Sequence, residues 1–188
     1  MVARAEAAAA TEQRILASAW SQFSERPYEH VHLRDVAADS GVSVQTLYVR
    51  FSSKDELFIA AWASTIGTEG ARRDSAPIGD IRAAARLLYD SYELRGDAVL
   101  RLLAVEERIP AVRKMTDAGR AWHRSWVERT FAPQLRDVTK AARERRLIAL
   151  VVATDLLVWK LLRREMGLDR SAAERIVIEM VNATSEAP

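Results

Sequence analysis

The sequence predicts an all-α protein in which an N-terminal helix-turn-helix domain precedes a larger helical domain. Apolar residues recur at helical spacing along most of the chain, and no stretch alternates polar and apolar residues as a strand would. A glycine at position 41 separates two short helical patterns, which predicts a tight turn between two helices. The 188 residues are enough for two such domains, and we expect nine or ten helices in all.

The first helix is predicted over Glu12–Phe23, where five apolar residues share one face. These residues are Ile15, Leu16, Ala19, Trp20 and Phe23. A polar loop with Pro27 leads to the second helix, in which Leu33, Val36 and Ala37 have the i, i+3, i+4 spacing of a buried face. The first helix is therefore expected to brace the helical hairpin that follows it.

The segment Leu33–Phe51 has the arrangement of a helix-turn-helix that reads DNA. Gly41 lies where the chain reverses, because glycine enters a left-handed backbone conformation cheaply, and Ser43 is expected to cap the next helix. Leu47 and Phe51 are assigned to the core. The remaining side chains of the second helix point largely outward: Val44, Gln45, Thr46 and Tyr48. An ordinary helical hairpin in a bundle has the same local pattern, so this segment alone leaves that alternative open.

The helix-turn-helix belongs to a longer pattern in the first third of the chain. It comprises RILASAW and ERPYE between Arg14 and Glu29, LRDVAADSGVS at Leu33–Ser43, TLYVRF at Thr46–Phe51 and SKDELF at Ser53–Phe58, with a capping box at Ser53–Glu56. In order and spacing these stretches resemble the TetR family of bacterial transcriptional regulators. We therefore expect a DNA-binding domain at residues 1–57, with the first ten or so residues disordered. The resemblance implies an all-α ligand-binding and dimerisation domain at residues 58–188.

Eight residues are candidates for contacts with DNA. They are His32, Ser43, Val44, Gln45, Thr46, Tyr48, Arg50 and Lys54. Gln45 is the expected base reader, because its amide can pair bidentately with an adenine edge, and Val44 can meet a thymine methyl. Arg50 is a candidate for a phosphate contact, with a solvated surface arginine as the alternative.

The resemblance implies roles for three of these residues. Tyr48 matches a family tyrosine that typically hydrogen-bonds a phosphate, although a partly buried packing role is the alternative for it. Lys54 matches a lysine at the start of the fourth helix that also contacts phosphate. His32 stands where the family usually has threonine, so it is expected to take over a backbone contact at the start of the second helix.

The charge distribution argues against a broadly basic DNA-binding surface. Residues 1–57 carry six basic and eight acidic side chains, a net charge of −2, whereas the whole chain is at +2. Because neutralisation of phosphates supplies most non-specific affinity, we expect that affinity to be modest. Specific binding would then depend on a few placed donors and on helix N-termini.

The rest of the chain shows helical patterns without a comparable motif. We expect a linker or long turn over residues 67–80, followed by a helix over Asp80–Arg95 that ends at Gly96. Further helices are expected over Ala98–Arg108 and over residues 111–146, the latter with a break at Pro133. The last two are expected over Ile148–Met166 and after a capping box at Ser171–Glu174.

This second region is expected to sense a ligand and to dimerise. The candidates for the lining of an apolar effector site are Trp62, Tyr89, Tyr92, Met115, Trp122, His123 and Trp126, with ordinary core packing as the alternative for each. The candidates for the dimer interface are Leu156, Trp159 and Leu162, because this segment offers more apolar surface than one helix needs for its own core. Core packing is an equal alternative for Trp159.

Other classes of protein find little support. The absence of cysteine excludes disulfides and thiol-based metal sites, and the His30–His32 pair lacks a third ligand, so we expect no metal and no cofactor. No signal peptide, membrane span or catalytic motif is evident, so we expect a soluble, cytoplasmic protein that is not an enzyme.

The sequence therefore predicts a ligand-responsive transcriptional regulator. We expect a repressor that binds a palindromic double-stranded DNA operator as a homodimer and is released by a small, mostly apolar effector. The alternative, suggested by the acidic N-terminal domain, is a helical scaffold that binds a partner protein and has lost operator binding.

Overall fold

The computed structural model describes residues 2–136 and 138–186, and in these residues the protein is all-α, as predicted. The α-helices are α1 (Val2–Glu25), α2 (Leu33–Ser40), α3 (Val44–Arg50), α4 (Lys54–Asp74), α5 (Ile81–Leu103), α6 (Pro110–Thr130), α7 (Lys140–Ala153), α8 (Leu156–Lys160) and α9 (Arg170–Glu186). Short 3-10 turns occupy Tyr28–His30 and Ala132–Leu135, and a π turn, Leu161–Glu165, extends α8.

The chain packs as two compact units, and each is made of two segments. The first unit comprises residues 1–67 and 97–117, and the second comprises residues 68–96 and 118–188. Helices α4, α5 and α6 each contribute residues to both units. The functional boundary expected after residue 57 stays a prediction, because packing alone does not test it.

The core of the first unit is built from the helix-turn-helix and from the turn between α5 and α6. Ile15 of α1, Val36 of α2 and Leu47 of α3 are buried together. The second segment of the unit adds four buried side chains to this core: Leu102, Val105, Ile109 and Val112. Polar contacts join the same two segments, because Arg101 donates to the Ser24 carbonyl and Arg108 pairs with Glu29.

The core of the second unit is rich in large rings. Its most deeply buried side chains include Tyr89, Trp126, Phe131, Leu147, Leu150 and Trp159. The ring of Trp159 lies against Gly96 of α5, where an added Cβ would come within 2.5 Å of two ring atoms. Gly96 therefore makes room for a tryptophan from a distant part of the chain.

Three expectations about helix boundaries were wrong in the middle and N-terminal parts of the chain. Helix α4 continues to Asp74, so the expected linker shrinks to residues 75–80. Helix α5 runs through Gly96 without a break, since a glycine inside a packed helix costs only about 1 kcal/mol. Residues 2–10, expected to be disordered, are helical, and residues 6–10 are exposed.

The C-terminal helices also differ from expectation. The continuous helix predicted over Ile148–Met166 is interrupted after Ala153, where the Asp155 carboxylate accepts from the Leu157 amide at 2.8 Å and caps α8. Asp169, rather than Ser171, caps α9 by accepting from the Ala172 amide at 2.8 Å. The predicted break at Pro133 is confirmed by the 3-10 turn there.

Candidate nucleic-acid interface

The turn of the helix-turn-helix has the geometry that the sequence predicts. Gly41 adopts a left-handed conformation with φ of +69°, and its amide bonds back to α2 carbonyls. The Ser43 hydroxyl accepts from the Thr46 amide at 3.1 Å and lies 2.9 Å from the Thr46 hydroxyl. The first turn of α3 is therefore capped by its own side chains. The orientation of the helix is set by the buried Leu47.

Leu47 is 1% exposed and fixes which face of α3 points away from the core. At 100° per residue, Gln45 and Val49 lie about 160° from Leu47 on the opposite face, and Tyr48 lies about 100° from it. Tyr48 is 55% exposed and Val49 is 80% exposed, and Gln45 is also exposed. Val49 was missing from the predicted set, although its helical position opposite Leu47 could have indicated it.

Beside this face lies an open depression of about 650 Å³. It is lined by Val31, His32, Leu33, Arg34, Val44, Tyr48, Ser52, Ser53 and Lys54. Its walls come from residues at the beginnings of α2 and α4 and from Val44 and Tyr48 of α3. Helix N-termini and basic side chains together favour an anion such as a DNA phosphate.

Lys54 is held in place by Tyr28. The Lys54 ammonium donates to the Tyr28 carbonyl and lies 4.2 Å from the centre of the Tyr28 ring. The Tyr28 hydroxyl donates to the Asp55 carboxylate. Burial lowers the pKa of Lys54 and the charge of Asp55 opposes that shift, whereas burial and the bond to Asp55 raise the pKa of Tyr28. Lys54 is thus a positioned cation at the wall of the depression.

The start of α4 is capped as predicted, with one difference. The Ser53 hydroxyl accepts from the Glu56 amide at 3.1 Å, which is the expected half of the capping box. The Glu56 carboxylate accepts from Ser52 instead of Ser53, at 2.7 Å from its amide and 2.6 Å from its hydroxyl. These two bonds lower the pKa of Glu56.

Arg50 and His32 are the two remaining candidates, and the structure gives each a specific local environment. Arg50 is paired with Glu12 of α1, with its Nη1 3.1 Å from the carboxylate. His32 occupies the N-cap position of α2, but its side chain makes no capping hydrogen bond and is exposed at the depression. The roles of both residues at DNA stay predictions.

The predicted effector-site residues fall into two groups. Trp62 and Met115 pack against the core of the first unit, where Trp62 meets Trp20 edge to face at 5.3 Å between ring centres. The other five belong to the second unit: Tyr89, Tyr92, Trp122, His123 and Trp126. The structure therefore brings together only part of the predicted set.

Four of those five residues surround Arg73, a buried arginine near the end of α4. Its guanidinium carbon lies 4.3 Å from the Trp126 ring, 4.7 Å from the Trp122 ring and 5.9 Å from the Tyr92 ring. The Trp126 indole N–H donates to the Arg73 carbonyl at 3.0 Å. Arg73 was not predicted, because a charged residue in an apparent linker gave no signal of burial.

His123 is a neutral member of this cluster. The Thr154 hydroxyl donates to the Leu150 carbonyl at 2.7 Å, so its oxygen accepts from Nε2 of His123 at 3.1 Å. Nδ1 of His123 is then the acceptor for Arg73 at 2.9 Å. Burial, reinforced by the Arg73 charge, lowers the pKa of His123 to about 3. The imidazole therefore remains neutral at physiological pH.

Tyr89 and Tyr92 are both buried but differ in their hydrogen bonds. The Tyr92 hydroxyl donates to the Thr154 carbonyl at 2.9 Å. No described residue hydrogen-bonds the Tyr89 hydroxyl, although the residue is almost completely buried. An unsatisfied hydroxyl in a core costs about 1–3 kcal/mol, so this group is suited to a polar ligand atom or a water.

The predicted dimer residues are buried within the chain's own second unit. Leu156, Trp159 and Leu162 are all buried. The exposed apolar side chains on the same stretch are Leu157 and Leu161, and α7 adds exposed Ile148 and Val152. The role of Leu156, Trp159 and Leu162 in a dimer interface stays a prediction.

Within residues 2–136 and 138–186, no group of three or more histidine, cysteine or acidic side chains could hold a metal ion. No described helix is long and apolar enough to cross a membrane.

Residues 15–61 match the family model described as "Bacterial regulatory proteins, tetR family". A search of curated protein sequences gives no match. The fold is similar to a transcriptional regulator from Rhodococcus sp. Rha1, with TM-score 0.74, 18% identity, and coverage of 94% of this chain and 99% of that one. It is also similar to a TetR-family transcriptional regulator from Streptomyces coelicolor, with TM-score 0.71, 24% identity, and coverage of 94% and 95%.

A more distant likeness is to NalD, described as the secondary repressor of the MexAB-OprM multidrug efflux pump in Pseudomonas aeruginosa. The TM-score is 0.55 at 21% identity, with coverage of 92% of this chain and 95% of that one. These likenesses show a shared fold, and the match at residues 15–61 covers the helix-turn-helix with its flanking helices. The similarity to bacterial regulatory proteins of the tetR family is therefore shown for residues 15–61, and over the rest of the chain the comparisons show a shared fold.

Proposed function

We propose that this protein is a transcriptional regulator of the TetR family that binds a palindromic operator as a homodimer, represses transcription, and is released by a small, mostly apolar effector. The observation that carries the proposal is the exposed face of α3 beside the depression at the starts of α2, α3 and α4. A face with an amide, a phenol and a methyl group is suited to base edges, and the depression is suited to phosphate. Repression is the role given for the structurally similar NalD.

The contacts to DNA divide between base reading and positioning. Gln45 reads an adenine through its amide, because it is exposed on the outward face of α3. Tyr48 and Lys54 contact phosphates at the depression that they line. Because Tyr28 already fixes the Lys54 ammonium, its phosphate contact loses little side-chain entropy on binding.

Dimerisation supplies the second half-site. A helix-turn-helix dimer places its two recognition helices about one DNA turn, roughly 34 Å, apart. We assign the interface to the exposed apolar face of α7 and α8, which includes Ile148, Val152, Leu157 and Leu161. These four exposed aliphatic side chains, two on α7, one on α8 and one in the π turn, are apolar surface that a monomer would leave in water. Leu156, Trp159 and Leu162 then support this face from within.

The effector site is assigned to the aromatic cluster of the second unit. The rings of Tyr92, Trp122 and Trp126 offer apolar surface around the Arg73 guanidinium. Arg73 of this cluster lies in the last turn of α4, whose first residue is Lys54. An effector that binds one arrangement of the cluster better than another would shift α4 and change the spacing of the recognition helices.

The test is a mobility-shift assay with DNA selected from a random pool by the purified full-length protein. Gln45→Ala and Tyr48→Phe should each weaken binding without changing the helical content. Gln13→Ala, at an exposed glutamine of α1, is the matched control and should bind normally. If both recognition-helix variants bind as tightly as the wild type, this assignment of the DNA interface is wrong.

The scaffold alternative makes a different prediction for the same selection. The net charge of −2 over residues 1–57 favours it, because an acidic domain has little general affinity for DNA. A folded protein that enriches no sequence from the pool would support the scaffold and would refute operator binding.

A further inference from the structure

Val49 is the most exposed large apolar side chain of α3, at 80%. Water is a poor environment for a branched aliphatic side chain, and the described residues leave Val49 largely uncovered. Its helix is the one that the proposed function places in the major groove. The group that covers the Val49 side chain in the complex is therefore one that the DNA groove presents.

The position of Val49 along the helix allows it to reach a base. Helix α3 has seven residues, Val44–Arg50, which span about 10 Å at 1.5 Å per residue. This length is comparable to the width of the major groove, about 12 Å. Val49 is the sixth of these residues, so it still lies within the length of helix that the groove can accommodate.

The neighbour of Val49 on the outward face is Gln45, four residues earlier. Residues four apart on a helix have Cβ atoms about 5–6 Å apart. Adjacent base pairs rise by 3.4 Å, so two such side chains meet bases about one or two steps apart. Gln45 and Val49 thus present an amide and a pair of methyl groups to neighbouring positions in the groove.

The chemistry of valine limits what it can recognise. It neither donates nor accepts a hydrogen bond, so it gains nothing from phosphate oxygens or from the polar edges of guanine, cytosine and adenine. The thymine C5 methyl is the apolar group of the major groove, and aliphatic side chains contact it.

We propose that Val49 is a specificity-determining residue that packs against the C5 methyl of one thymine in each operator half-site. This thymine lies within about two base pairs of the adenine that Gln45 reads. The inference rests on the proposed function and goes beyond it, because it assigns a base preference to a residue outside the predicted set of DNA contacts.

The experiment removes the methyl groups one at a time. Each thymine of the selected operator is replaced in turn by deoxyuridine, which lacks the C5 methyl, and affinity is measured for the full-length wild type and for V49A. At one thymine per half-site, loss of the methyl should weaken wild-type binding about fourfold, or about fifteenfold when both half-sites are changed. The V49A protein should show no further loss there.

A matched variant separates Val49 from the other exposed valine of α3. V44A should keep the wild-type sensitivity at the thymine assigned to Val49, because Val44 lies on a different side of the helix. Alanine has the higher helix propensity and Val49 is exposed, so V49A should fold normally. Circular dichroism checks this.

Two results would overturn the inference without affecting the proposed function. In the first, a palindromic operator is recovered, but V49A responds to every deoxyuridine as the wild type does. In the second, V49A weakens binding equally to all operators, which would place Val49 against the sugar–phosphate backbone. Failure to recover any operator would refute the proposed function itself, and the inference with it.

Discussion

The ion pair between Arg50 and Glu12 provides a quantitative test of how the protein contacts phosphate. Arg50 is on the recognition helix, but its Nη1 is 3.1 Å from the Glu12 carboxylate of α1. A carboxylate that holds this guanidinium competes with a DNA phosphate for it. We therefore expect Glu12→Gln to free Arg50 for phosphate and to tighten operator binding.

The size of the effect follows from counterion release. Each additional phosphate contact steepens the plot of log affinity against log salt by about 0.9. A dimer gains two contacts, so the slope should steepen by about 1.8. Between 50 and 200 mM salt the variant should therefore lose about tenfold more affinity than the wild type loses. The cost in stability should be small, about 0–1 kcal/mol, because both side chains are partly exposed.

The assay is fluorescence anisotropy of a labelled operator titrated at several salt concentrations. Arg50→Ala in the wild-type background should leave the slope nearly unchanged, and in the Glu12→Gln background it should restore the wild-type slope. Glu25→Gln, at another exposed glutamate of α1, is the control for removal of a negative charge. An unchanged slope for Glu12→Gln, or a clearly shallower slope for Arg50→Ala alone, would refute the competition between Glu12 and phosphate.

Three further predictions concern the second unit. Gly96→Ala should destabilise the protein by about 1–3 kcal/mol in chemical unfolding because its Cβ would strike the Trp159 ring, whereas Gly119→Ala on open helix surface should stabilise it by about 0.5–1 kcal/mol. Because the folded pKa of His123 is about 3 against 6.5 for an unperturbed histidine, its neutral form stabilises the fold fully above about pH 6.5 and progressively less as the pH falls towards 3. The free energy of unfolding, measured by thermal unfolding, should therefore fall more steeply between pH 7 and pH 5 in the wild type than in His123→Gln. Parallel curves for the two proteins would contradict this. Leu161→Glu should yield monomers in sedimentation and lose operator affinity, whereas Leu94→Glu, at an exposed leucine of α5, should do neither.

Local sequence signals predicted the helix-turn-helix well because its determinants are close in sequence. Gly41 and Ser43 act within one turn of their own positions, through a left-handed φ and a capping bond. The exposed face of α3 follows from the position of Leu47, and the same reasoning could have added Val49.

The errors arose where distant segments decide the local structure. Gly96 has the character of a helix end, but α5 continues through it, and the ring of Trp159 occupies the space that a side chain at position 96 would need. No local pattern indicates that residues 97–117 pack with the N-terminal core, or that Arg73 is buried among aromatic rings. These arrangements depend on tertiary packing, which periodicity and composition do not encode.

The central claim is that α3 reads a palindromic operator, and its most direct test is selection of DNA from a random pool by the purified full-length protein. A dimer with two recognition helices should enrich an inverted repeat whose half-site centres lie about one helical turn apart, or a multiple of it. Enrichment of such a repeat, and its loss with Gln45→Ala, is the predicted result. Recovery of no common sequence, or of a repeat that Gln45→Ala binds as well as the wild type, would contradict the claim.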